Sequence, residues 1–154
     1  FWHQALEANK LYKMLDGKLR KQALLPEAPD EAEIAFRGLR GKFTGVPVVD
    51  MTTDQKAHLQ KILRLLLEPF RQSDQDEAVA ALKKNGGLDQ CHLTFYERDD
   101  LGSDGIWDNW RLEGPAFVWH WRGAPHVHVW VHVADSHKVE LNSRNRSGPL
   151  RRKS

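Results

Sequence analysis

The chain has 154 residues, 40% of them hydrophobic and 29% charged, with a net charge of +2. That length fits one domain burying roughly two thirds of its unfolded surface, and the composition is that of a globular protein, not a disordered or fibrous one. No apolar run approaches the ~18 residues of a membrane span, no signal-peptide pattern opens the chain, and a lone cysteine excludes an internal disulfide, a cysteine-rich zinc site and CxxCH haem attachment.

The charge is uneven. After Asp135, six basic residues stand against Glu140, a balance of +5, which leaves 17 basic and 20 acidic residues, or −3, for the rest. A near-neutral globule with a basic tail points away from a nucleic-acid-binding domain, in which basic residues would line a whole face. The chain also begins at Phe1 without methionine, inside a helical pattern, which suggests a processed chain or a fragment.

Phe1, Ala5, Ala8, Tyr12, Leu15 and Leu19 recur at threes and fours and predict one amphipathic helix ending before Pro26. Glu7, Lys10, Lys13, Lys18 and Lys21 read as its solvated face. Pro26–Asp50 sustains no period and carries glycines at 38, 41 and 45, so it reads as a long loop. Loops of that length are often functional or packed against a partner. Its GLRGKFTG stretch lacks the spacing and Lys-Ser/Thr ending of a phosphate-binding loop.

Thr52 and Gln55 form a capping box for a helix that buries Leu59, Ile62, Leu63, Leu66 and Phe70, ended or kinked by Pro69. Ser73, with Asp76 three residues on, reads as the N-cap of a short helix through Val79 and Leu82. That helix stops at Asn85-Gly86-Gly87.

From Gly87 the period becomes two. Cys91, Leu93 and Phe95 alternate with His92, Thr94 and Tyr96, a half-buried strand that makes Cys91 a small core hydrophobe. The acidic run Glu97–Asp108 follows, pinned by Trp107 and Trp110. Its Asp100-x-Gly102-x-Asp104-Gly105 spacing is near that of a calcium loop, but Arg111 stands where a bidentate glutamate should close it.

Arg111–Asp135 holds four of the eight histidines and three of the six tryptophans, in two strand-like runs joined by Gly123-Ala124-Pro125. His126, His128 and His132 alternate with valines, so one face is apolar and the other carries imidazole. A three-residue connection would set His120, His126 and His128 on one face; a two-residue turn would set Trp121 against His126 instead. Imidazoles at i and i+2 of a strand lie about 6–7 Å apart, within reach of one metal whose bonds to nitrogen are ~2 Å. Imidazole without thiolate suits Zn, Cu or Fe. The candidate ligands are therefore His126 and His128, with His120, His92 and His132 as further members. Glu113 could act as an acid or base near them, or salt-bridge Arg111 or Arg122. His3, His58 and His137 are isolated and read as surface residues.

Three blocks within residues 1–134 resemble the C-terminal portion of the domain-of-unknown-function family 3500, bacterial proteins without an established activity. FWHQALEANKLYKMLDGKLRKQAL is similar to the helix opening that family's second half. MTTDQKAHLQKILRLLLEPFR with GGLDQCHLTFYE is similar to its central helix and strand. RLEGPAFVWHWRGAPHVHVWVHVAD is similar to its closing hairpin, in which an R-[IL]-x-G-P run precedes a paired H-[IV]-H. The resemblance supports His92, Arg111, Gly114, Pro115, His126 and His128. It implies a missing upstream half carrying another histidine pair, and it favours a periplasmic or secreted location. Where family members have Trp-Arg-Asp after the histidine pair, this chain has Trp130-Val131-His132.

The expected fold is α+β: one domain over residues 1–135, with three helices on one face of an antiparallel sheet drawn from residues 90–135, and a basic tail over 136–154. The expected function is a transition-metal site on the sheet's open face, catalytic or for metal handling. The alternative is a non-catalytic interaction or assembly module that completes a larger protein.

Overall fold

The computed structural model describes residues 2–31, 34–102 and 104–141. Most of the basic tail, Asn142–Ser154, lies outside the described residues, as does Phe1 of the first apolar stripe. The fold is α+β, with four α-helices and a six-stranded mixed sheet. Among the described residues no helix is long and apolar enough to cross a membrane.

The predicted first helix is two: α1 (Trp2–Met14) and α2 (Gly17–Ala23). Asp16 divides them. Its extended backbone and a carboxylate accepting from the Leu19 amide at 2.8 Å start a new helix, as an N-cap aspartate does. The chain then forms β1 (Leu24–Leu25), crosses the long loop, and forms β2 (Val46–Pro47). α3 (Thr53–Leu67) carries both hydrogen bonds of the Thr52–Gln55 capping box and ends just before Pro69. α4 (Gln72–Lys84) starts from Arg71, not Ser73; the Ser73 hydroxyl instead meets the Asp74 carboxylate at 3.3 Å. The glycine stop is as predicted, with Gly86 and Gly87 both at positive φ and the Gly87 amide returning to the Leu82 carbonyl.

The C-terminal half supplies β3 (His92–Tyr96), β4 (Asn109–Gly114), β5 (Phe117–Arg122) and β6 (His128–Val133), antiparallel in the order 3-4-5-6. The sheet is not purely antiparallel and does not come wholly from this half. Along the outer side of β3, β1 pairs in parallel at Phe95 and Tyr96, and β2 pairs antiparallel at His92 and Leu93. Gly45 makes that second pairing feasible: at φ +83 it passes so close to Leu93 and Thr94 that a Cβ would collide with both.

Cys91, Leu93, Phe95, Trp110, Leu112, Phe117, Trp119 and Trp121 turn to one face and pack against Ala5, Ala8, Leu11, Leu59, Ile62 and Leu66 of α1 and α3. Trp119 and Trp121 are fully buried. Asn9 locks the acidic loop to α1: its amide donates to the Ala5 and Trp107 carbonyls, and its oxygen accepts from the Trp107 amide at 2.6 Å. The supposed solvated face of α1 needs correction at Glu7. That carboxylate is 3% exposed, capped by Lys10 and Lys61 and approached by His58 at 3.3 Å, so His58 is a half-buried tie between α1 and α3.

Candidate functional site

The second face of the sheet carries the polar partners of the core residues. The observed register pairs His120 with Trp130, and Arg122 with His128. Five residues connect β5 and β6, with a cis Ala124-Pro125 bond, so neither the three-residue nor the two-residue connection forms. The longer loop keeps the same parity as the three-residue one. His120 thus shares a face with His128 and His132 but lies across from Trp130, not from His126. On β4 the same face holds Asn109, Arg111 and Glu113; on β3 it holds His92, Thr94 and Tyr96.

This face is not open. The loop after β1 crosses it as a strap, and each crossing is tied down. Glu31 pairs with Arg122 at 2.6 Å, Arg37 pairs with Glu113 at 2.9 Å, and the Gly38 amide donates to the Pro115 carbonyl. The Phe43 ring stacks on His92 at 5.1 Å, and the Thr94 hydroxyl donates to the Thr44 carbonyl. Beneath the strap lies a polar layer: Thr94, Asn109, Arg111, Glu113 and His120 are all buried.

Arg111 Nε donates to His120 Nδ1 at 3.1 Å, which leaves the ring proton of neutral His120 on Nε2. His120 has no solvent exposure, and burial, then Arg111, then Arg122, pull its pKa down to about 3. It is a hydrogen-bond donor at neutral pH and a poor proton acceptor. Among the described residues its Nε2, Arg111 Nη2 and Asn109 Oδ1 find no hydrogen-bond partner. Buried polar groups are nearly always satisfied, so these three atoms are ones that a water or a ligand would complete. Among the described residues Arg111 makes no ion pair. His120, Asn109 and Arg122 line a cleft of about 410 Å³, with Arg98, Asp99 and the strap's Ala28–Glu31 as its other walls.

Burial raises the Glu113 pKa, against the opposing pull of Arg37 and Arg111. It lowers those of His92 and His132. The thiol of Cys91, on the core side, is pushed up to about 12 by burial and is chemically inert there.

His126 and His128 do converge, with Nε2 atoms 2.5 Å apart. Arg122 Nη2 contacts His128 Nδ1 at 2.6 Å; because guanidinium only donates, His128 carries its proton on Nε2 and passes a hydrogen bond to His126. The other predicted ligands do not join this pair. His120 lies under the strap, His92 stacks on Phe43 beyond Glu113, and His132 sits opposite Val118. Among the described residues no group of three or more His, Cys, Asp or Glu side chains is placed to hold a metal ion. Arg111 and Glu113 stand on this face, and Glu113 pairs with Arg37, not with Arg111 or Arg122.

Sequence reasoning missed Asn109, Tyr96 and the strap residues Glu31 and Arg37. Strand parity from Arg111 and His92 could have placed the first two; nothing local ties Glu31 or Arg37 to a strand more than 70 residues downstream. No family model, curated protein or solved structure matches the chain.

Proposed function

We propose that the strap-covered face binds a small carboxylate-bearing molecule, whose anionic oxygen accepts the Nε2 proton of His120 beside Arg122. One observation carries this reading: His120 is wholly buried, fixed in a single tautomer by Arg111, and presents an unpartnered donor to a cleft. The guanidinium groups of Arg111 and Arg122 both act on that position, and Glu31 is the carboxylate that now pairs with Arg122. A buried, preset donor flanked by two guanidinium groups favours an anionic oxygen at that point of the cleft. Glu31, which pairs with Arg122, is the group a ligand carboxylate would displace. The neutral imidazole suits binding and polarisation of an oxygen, not general-base chemistry.

Thermal unfolding in the presence of acetate, succinate and inorganic phosphate tests this. A carboxylate at 100 times its dissociation constant should stabilise the fold by ~2.7 kcal/mol. His120→Leu should remove the shift and His126→Ala should leave it. If no carboxylate shifts the wild-type midpoint, or if His120→Leu responds equally, the reading fails.

A second reading, a zinc, copper or iron site at His126 and His128, is favoured by their converging nitrogens. It requires the His128 proton to sit on Nδ1 so that Nε2 is free to ligate, and hence Arg122 to release Nδ1. Metal content of the purified protein that is unchanged by His126→Ala with His128→Ala would exclude it.

A further inference from the structure

Among the described residues β6 is the last strand of the sheet, paired with β5 on one side only. Edge strands are normally blunted by lysine, proline, a bulge or short length. This one has none of these: it is six residues long, half-buried throughout and free of charged Lys, Arg, Asp or Glu. The opposite side of the sheet is closed by strands of two residues each. Among the described residues the long unpaired edge of the sheet is therefore β6.

The sequence of this edge is a palindrome. Val127-His128-Val129-Trp130-Val131-His132-Val133 reads the same in both directions about Trp130. Two antiparallel copies aligned on Trp130 would set Trp130 against Trp130, valine against valine and histidine against histidine. That is the self-complementarity an isologous two-fold interface needs.

The backbone phase agrees with this register. Ala134 donates its amide to the Ala116 carbonyl at 3.0 Å, which makes that pair a hydrogen-bonded one. Counting back by twos, His132, Trp130 and His128 turn their amides and carbonyls toward β5. Val133, Val131 and Val129 turn theirs outward. Alignment on Trp130 joins Val129 to the partner's Val131 and Val131 to the partner's Val129, the very residues with outward groups. A register shifted by one residue would pair outward groups with inward ones. It would also place histidines against valines.

We infer that this protein forms a two-fold homodimer through β6, its palindromic edge pairing antiparallel about Trp130 to make one continuous sheet. The partner is a second copy of this chain. In the dimer Trp130 faces its own copy in a non-hydrogen-bonded pair, where Cα atoms approach to ~4.5 Å. The partner's His132 comes beside His128, so each end of the interface gathers three imidazoles, two from one copy and one from the other.

Sedimentation equilibrium of the wild-type chain should return twice the monomer mass. Trp130→Cys supplies a register-specific readout, because ~4.5 Å between Cα atoms lies within disulfide reach. Mild oxidation should convert most of that variant to a covalent dimer. The same treatment of Val139→Cys, exposed but off the strand, should not, and the native thiol Cys91 is too buried to contribute. Pairing of His128 with the partner's His132 adds a second arm. His132→Lys alone should lower the dimer fraction several-fold, and adding His128→Glu should restore it through two symmetric Glu–Lys pairs. A monomeric wild-type chain, cross-linking that is equal in Trp130→Cys and Val139→Cys, or a double variant no better than His132→Lys would each overturn the inference.

Discussion

The burial of His120 makes a quantitative claim about acid stability. In the folded chain its pKa lies near 3, against an ordinary value of 6.5. Between those values the unfolded chain binds a proton that the folded chain refuses, so stability rises with pH across this window and is lost as the pH falls from 6.5 toward 3. At ~1.4 kcal/mol per pH unit the full loss is about 5 kcal/mol, a large share of the ~5–15 kcal/mol that holds a typical domain together. Burial is complete, so solvent screening takes little from this figure. His92 and His132 are also lowered by burial and add loss of the same sign, so the comparison must be with a variant. His120→Gln retains an acceptor for Arg111 Nε and does not titrate. Urea midpoints measured near pH 6.5 and two units lower should show the wild type losing about 2 kcal/mol more than His120→Gln. Equal losses in the two proteins would mean that His120 is not held neutral by burial and by Arg111 and Arg122.

The strap is anchored by a buried carboxylate. Arg37→Ala should therefore destabilise by about 1–3 kcal/mol through an unpaired Glu113, less than a fully buried pair would lose because Arg37 is partly exposed. Glu113→Gln should be milder, as equilibrium denaturation of the two variants would show. Gly45→Ala combines a positive φ with a collision against Leu93 and Thr94, so it should destabilise by several kcal/mol in thermal melts. Cys91 has no exposure and a pKa near 12, so a thiol reagent should label it only at the rate of unfolding. Labelling of the native protein within minutes would contradict that.

Local patterns in the chain determined much of this molecule. The capping box at Thr52, the glycine stop after Asn85, the inward set Cys91, Leu93 and Phe95, and the division of Trp119 and Trp121 from His120 all follow from neighbours within a few residues. Hydrogen bonding and strand parity act at that range. The α+β class and a polar strand face bearing histidines were legible for the same reason. The division at Asp16 was less so, since an apolar stripe can continue across a helix break.

Only the tertiary structure decided what the polar face became. Turn length, not composition, set which strand residue stands opposite His120. The strap is tied by Glu31–Arg122 and Arg37–Glu113, contacts between segments more than 70 residues apart that no local period can announce. By covering the face, the strap removed water from Arg111 and His120 and turned an expected open histidine array into a closed donor site. The charge and proton position of His120 depend on that exclusion of water. They belong to the fold, although every residue involved was visible in the sequence.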